Sequence, residues 1–350
     1  MKKKHIFITV VVVAILAGLI VLQIHSWRKF DWDKFATYTT DLNWWRIVSA
    51  IVLIYITYAM RALRWKIFLR PVCRARLRSL LPTQYIGFTG LALLGRPGEL
   101  IRPYLIARKE VLPVSSQIAV WTVERIFDIG AFATLMSIDI FLFGHTLPFH
   151  NALEKAAGAL LGIVAFMGIV ALLIRRNGPG VSKWIEQRLS FLSRKLSRSI
   201  GHKVRSFGEG LNTIHDLGAF LQLAGVSLAI WFTIALSYVQ VLHSYRVHEL
   251  HRMELQHVLL LMGASMVGSL LQLPAIGGGS QLATINMMSA PQWFNIPNEL
   301  ATSAGIMLWA VTFMAVIPVG LALSHHEHIS IRKVSEESET AEEEPAPERL

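Results

Sequence analysis

Long, predominantly apolar runs alternate with short basic segments along this chain. The runs are Ile6–Ile24, Trp45–Leu69, Trp121–Phe143, Ala156–Ile174, Leu217–Leu242 and Leu300–Ser324. Each has about the 20 residues that a helix needs to cross a hydrocarbon core of roughly 30 Å. Two further apolar regions are interrupted. Leu80–Ile106 contains Gly95-Arg96-Pro97-Gly98-Glu99-Leu100-Ile101-Arg102-Pro103-Tyr104, and His257–Ala290 contains Pro274-Ala275-Ile276-Gly277-Gly278-Gly279-Ser280. Broken backbone at membrane depth is tolerated only inside protein or beside water. Each region therefore reads as a re-entrant hairpin of two half-helices, with a pair of full spans as the competing reading. The expected fold is all-α: a polytopic membrane helix bundle of about six spans plus two opposed re-entrant hairpins.

Charge sets the orientation. Of 350 residues, 53% are hydrophobic and 16% charged, with a net charge of +11. The bases cluster between the spans, as the positive-inside rule requires, and no nucleic-acid motif accompanies them. Lysine and arginine number three at the N-terminus, seven in Arg61–Arg78 and nine in Arg175–Asp216, against three in His25–Asn43, one in Gly144–Lys155 and two in His243–Gln256. Both termini are thus expected in the cytoplasm, the first hairpin entering from that side and the second from outside. Interrupted segments at matching places in oppositely oriented halves point to an inverted repeat with a site at the midplane. Lys2, Lys3 and Lys4 before Ile6–Ile24 make a signal anchor, and Leu22–His25 lacks the small-residue cleavage pattern. Arg175–Asp216, basic with interspersed Trp184, Leu189, Phe191 and Leu196, reads as an amphipathic cytoplasmic segment or a helix packed on the bundle. Residues 329–350, acidic from Glu336 on, read as a disordered tail. The single cysteine, Cys73, rules out an intrachain disulfide.

Candidate chemistry concentrates in three places. In Arg96-Pro97-Gly98-Glu99, proline suits the first turn of a helix and an acid two residues later favours its positive end. Glu99 and Arg102, three apart, can face each other, which leaves Arg96 for a phosphate, whose geometry matches a guanidinium fork. The bland reading is a salt-bridge cluster that holds the hairpin to the bundle. In Glu124-Arg125-Ile126-Phe127-Asp128, the two acids are four apart and repel unless a cation lies between them. Arg96, Arg102, Arg61 and Arg64 are the candidates. Arg64 is expected to snorkel to lipid phosphates, and Arg61 either to snorkel or to line the site entrance. Gly277, Gly278 and Gly279 expose backbone N–H groups before a helix that Ser280 can cap, a ready anion site or simply a close helix contact.

These runs carry a resemblance. Phe88-Thr89-Gly90, Gly95-Arg96-Pro97-Gly98-Glu99 with Arg102, Glu124-Arg125 with Asp128, and Pro274 with Gly277-Gly278-Gly279 occur in this order. The chain resembles the flippase-like transmembrane module of lysylphosphatidylglycerol synthases, up to about Ser324. The resemblance implies a bundle with two re-entrant segments, residues 1–328, that moves or handles lipid across the inner membrane. A soluble aminoacyl-transferase domain is not expected here, which leaves aminoacylation out and the lipid open. The expected partner is a membrane lipid with a polar or anionic headgroup, with a separate membrane enzyme as a possible second; no cofactor or metal is expected. The enzymatic alternative is a glycosyltransferase that uses polyprenyl-phosphate sugars, resting on the external pair Asp31 and Asp33. A non-transporting partner that gathers lipid for another enzyme would need the same cavity. Neither His325-His326-Glu327-His328 nor His248-Glu249-Leu250-His251 has the spacing of a zinc helix, and no Walker A sequence is present.

Overall fold

The length of the apolar runs dictates helices, and the structure, a computed structural model, builds them in chain order. It describes residues 30–189, 216–269, 272–273 and 277–343; the first expected span, Ile6–Ile24, lies outside these. The helices are α1 (Trp32–Thr40), α2 (Trp44–Leu69), α3 (Leu77–Leu94), α4 (Ile101–Glu110), α5 (Val114–Phe143), α6 (His150–Leu189) and α7 (Leu217–Leu242), then α8 (His248–His251), α9 (Leu255–Gly268), α10 (Gly279–Ser289), α11 (Asn298–Trp309), α12 (Val316–His326) and α13 (Ile331–Glu343). Among the described residues, five segments are long and apolar enough to cross a membrane: α2, α5, His150–Ala171 of α6, α7, and α11 with α12. The bundle is all-α; a two-residue strand pairing joins Gln272–Leu273 to Gly277–Gly278 at the tip of a helical hairpin.

Both interrupted regions are hairpins. In the first, the chain reverses through a 3₁₀ turn at Arg96–Leu100. Glycines let the arms touch: a Cβ on Gly87 would strike the Arg102 side chain, and one on Gly98 would strike the Gly90 carbonyl. The base closes where Ser79 Oγ donates to Glu110 Oε1 at 2.7 Å. In the second, Gly268 packs directly against the backbone of Gly279, and His257 and Phe294 meet at the base with ring centroids 5.5 Å apart. The arms α9 and α10, 14 and 11 residues, are roughly 21 and 16 Å long, short of a hydrocarbon core.

The two hairpins are opposed. The base of the first adjoins the start of α5, which a three-residue link joins to the end of α4. The base of the second adjoins the far end of α5, where Phe149 meets Trp293 at 5.4 Å. Between them, α2 packs along α7, and α3 packs along both α2 and α12. Gly320 of α12 allows that last contact, since a Cβ there would overlap Thr89 Oγ1. A π-helical turn, Ala310–Met314, separates α11 from α12. Next to it Tyr55 Oη donates to the Ala315 carbonyl at 2.7 Å and Thr89 Oγ1 to the Val316 carbonyl at 3.2 Å.

One expectation needs correction. The tail was expected to be disordered from residue 329, yet Ile331–Glu343 is a helix on the first hairpin. Val334 is buried in a cluster with Ile86, Ile101 and Leu105, and Tyr104 Oη donates to Glu337 Oε2 at 2.9 Å. Apolar burial and a hydrogen-bonded acid thus offset the cost of ordering the segment. Residues 344–350 lie outside the described residues. Of the basic segment Arg175–Asp216, the part up to Leu189 continues α6 past a kink at Asn177 (φ −148°, ψ 56°); residues 190–215 are outside the described ones.

Candidate functional site

A buried ion cluster ties the bundle together. Glu124 and Asp128 share a face of α5, and the cation between them is Arg64. Its Nη1 donates to Asp128 Oδ1 at 2.7 Å and to Ser227 Oγ at 2.8 Å; its Nη2 donates to Glu124 Oε1 at 2.5 Å and to Asp128 Oδ2 at 3.2 Å. Arg102 covers the other side of Glu124, donating to Oε1 at 3.0 Å and Oε2 at 2.5 Å, and to Gln84 Oε1 at 3.2 Å. The indoles of Trp65 and Trp231 donate to Glu124 at 3.0 Å and to Asp128 at 3.3 Å. Arg61 reaches Asp128 at 3.6 Å, and the Phe88 ring lies under both Arg61 and Arg102 at 5.1 and 5.0 Å. Residues from α2, α3, α4, α5 and α7 therefore meet in one network. Three guanidinium groups face two carboxylates, so the network holds one surplus positive charge inside an apolar shell.

This placement corrects the expectation for Arg64. A snorkelling arginine faces lipid, but Arg64 lies on the inward face of α2 with Arg61, Trp65 and Phe68, and is wholly buried. Helix length places it near a membrane edge; helix rotation turns it toward two carboxylates. Arg102 likewise pairs with Glu124 rather than Glu99. Arg96, expected to reach for phosphate, is exposed at the start of the 3₁₀ turn. The expected half-helix at Pro97 is that turn, followed by α4.

The tips of the two hairpins enclose a polar cavity of about 270 Å³. Leu91 and Glu99 come from the first hairpin, Ser265, Ser269, Ser280, Gln281 and Thr284 from the second, and Arg125 from α5. Tyr238, Trp309, Thr312 and Phe313 complete the wall, the last two from the π turn; π turns recur at functional sites. Arg125 neighbours Glu124 in the chain, so the cavity adjoins the ion cluster. Two buried donors, Arg125 Nε and Trp309 Nε1, have no hydrogen-bond partner among the described residues. Ser269, Thr284 and Thr312 donate their hydroxyl protons to their own helices at 2.7, 2.8 and 2.7 Å, which leaves lone pairs for a ligand. The volume falls below the roughly 300–1,000 Å³ of drug-sized pockets and suits a headgroup rather than a whole lipid.

Of the residues singled out in the sequence, Glu99, Arg125 and Ser280 meet at this cavity, while Arg102, Glu124 and Asp128 form the network beside it. Gly98 serves the close approach of the turn to α3. Gly278 adopts φ 103° and Gly279 opens α10. The helix is capped through Gln281, whose side-chain oxygen accepts from the Gly278 N–H, so the cap expected of Ser280 is supplied from the next residue. Asp31, half of the proposed acid pair, is spent on structure: it caps α1 by accepting from the Lys34 N–H at 3.0 Å and pairs with the Lys34 ammonium at 3.2 Å. Gln281, Thr284, Tyr238 and Trp309 escaped the sequence reading, because single polar residues in apolar helices are common and only the fold gathers them.

A family model described as the lysylphosphatidylglycerol synthase TM region matches residues 6–320, a stretch that takes in both hairpins, the ion cluster and the cavity. No curated protein and no solved structure matches the chain.

Proposed function

We propose, from the premise that the chain belongs to the lysylphosphatidylglycerol synthase transmembrane family and is a multi-pass membrane protein, that it binds the headgroup of a membrane lipid between its hairpin tips and passes it between the leaflets. The observation that carries this reading is the cavity itself, polar and lined by both opposed hairpins within an apolar bundle. Arg125 supplies a guanidinium for the phosphate, and the surplus charge of the adjacent network favours an anion. Glu99 and the hydroxyl lone pairs accept hydrogen bonds from the rest of the headgroup. The charged groups Glu99 and Arg125 lie within the span region of the bundle, where ionisable residues mark substrate pathways. The membrane is the cytoplasmic one, with both termini inside, and the module acts on lipid without chemistry of its own.

Scrambling of fluorescent phospholipid in reconstituted vesicles tests the reading. Arg125→Gln and a Gln281→Ala/Thr284→Ala double variant are expected to lower the rate at least tenfold while the protein stays monodisperse. Asp31→Asn combined with Asp33→Asn is expected to leave it unchanged. Full scrambling by Arg125→Gln would overturn the cavity as the headgroup site, and sugar transfer from a polyprenyl-phosphate donor that the Asp31/Asp33 variant loses would overturn the reading in favour of the transferase.

A further inference from the structure

Helix α13 lies beyond the stretch that the family model matches, residues 6–320. It nevertheless packs against both arms of the first hairpin, against the turn between them, and against α5. Ile331 rests on Gly90, the residue before Leu91 of the headgroup cavity. The turn that α13 touches carries Glu99, another wall of that cavity. Val334 is buried with Ile86, Ile101 and Leu105. Glu337 accepts from Tyr104 Oη at 2.9 Å and pairs with Arg108 at 3.4 Å. Just ahead of the helix, Glu327 pairs with Lys109 at 2.8 Å.

The other face of α13 is charged, with the Arg332, Lys333 and Glu336 side chains exposed. Charges so close together do not face hydrocarbon, so that face meets water. Water thus lies on one side of the first hairpin's turn and the headgroup cavity on the other, with α13 laid across the turn. The attachment is light. It consists of aliphatic contacts, one hydrogen bond and ion pairs on partly exposed side chains, which salt screens. A helix of 13 residues is also marginal by itself. We infer that α13 is an autoinhibitory strap. Docked, it holds the first hairpin to α5 and keeps the cavity shut against the water outside; released, it frees the hairpin to open. Its effect on transport rests on the proposed function, but the opening of the cavity is measured without lipid.

Two measurements separate the strap from transport. On a Cys73→Ser background, Ser269→Cys places a thiol in the cavity wall, and a water-soluble maleimide reads its access to solvent in the detergent-solubilised protein. Labelling is expected to be slow in the full chain. It is expected to be several-fold faster when Val334→Glu puts a charge into the apolar contact; a chain ending at His328 serves if that variant fails to fold. Phospholipid scrambling in vesicles is expected to rise in the same variants. Tyr104→Cys with Glu337→Cys, joined by a cleavable bismaleimide, is expected to scramble slowly and to recover when the linker is cut. Labelling and scrambling left unchanged by the releasing variants, or full-rate scrambling by the crosslinked chain, would overturn the strap. Faster labelling in a chain that scrambles no lipid in any form would leave the strap standing and overturn the proposed function instead.

Discussion

At the scale of the residue, the decisive arrangement is one guanidinium held by two carboxylates. Arg64 contacts both Glu124 and Asp128, and Glu124 is shared with Arg102. Removing one member of a buried pair strands a charge and typically costs about 3–5 kcal/mol. Glu124→Ala leaves Arg102 without a carboxylate and Arg64 with Asp128 alone, and is expected to be the most damaging change in the network. Arg64→Ala combined with Glu124→Ala should cost less than the sum of the two single changes; strictly additive melting shifts of the detergent-solubilised protein would show that the pair is not coupled. Half of this was legible in the sequence: two acids four apart in an apolar run demand a cation. Which arginine answers was not, because spacing along α2 gives depth in the membrane, and only packing against α5 and α7 gives direction.

At the scale of the element, glycines decide which helices can touch. Gly320 sits against Thr89, and Gly98 against Gly90. Gly320→Val would push α12 off α3 and break the Thr89 hydrogen bond to Val316, at a cost of about 1–3 kcal/mol for overpacking. The expected result is a lower melting temperature with the ion cluster intact; an unchanged melting temperature would mean that the two helices already have room to separate. Both hairpins were legible because glycine and proline interrupt otherwise apolar runs. The π turn was not, since Ala310–Met314 is an ordinary apolar stretch whose extra residue shows only in the backbone. Helix α13 was hidden as well: an acidic composition argues for disorder until Ile331 and Val334 find Ile101 and Leu105.

At the scale of the molecule, the opposed hairpins give a topology that can be tested without any lipid. On a Cys73→Ser background, Arg78→Cys and Val111→Cys flank the first hairpin, and Glu254→Cys and Pro291→Cys the second; all four positions are exposed. An impermeant thiol reagent applied to sealed, oriented vesicles is expected to label the first two from one side and the last two from the other. Labelling of either pair from different sides would mean a full crossing. Basic-residue counts alone foretold this opposition, because orientation follows from charge between spans; the outlying position of α6, only 6% of whose apolar window is buried, left no trace in sequence, as its apolar surface looks the same whether it faces protein or lipid. The meeting of the tips has an electrical consequence. Under the proposed function, a charged headgroup that passes between the tips moves through the transmembrane voltage beside Glu99 and Arg125. A headgroup with one net charge crossing there does work of about 2.3 kcal/mol for every 100 mV, with or against the field, whereas a neutral headgroup crosses without regard to it.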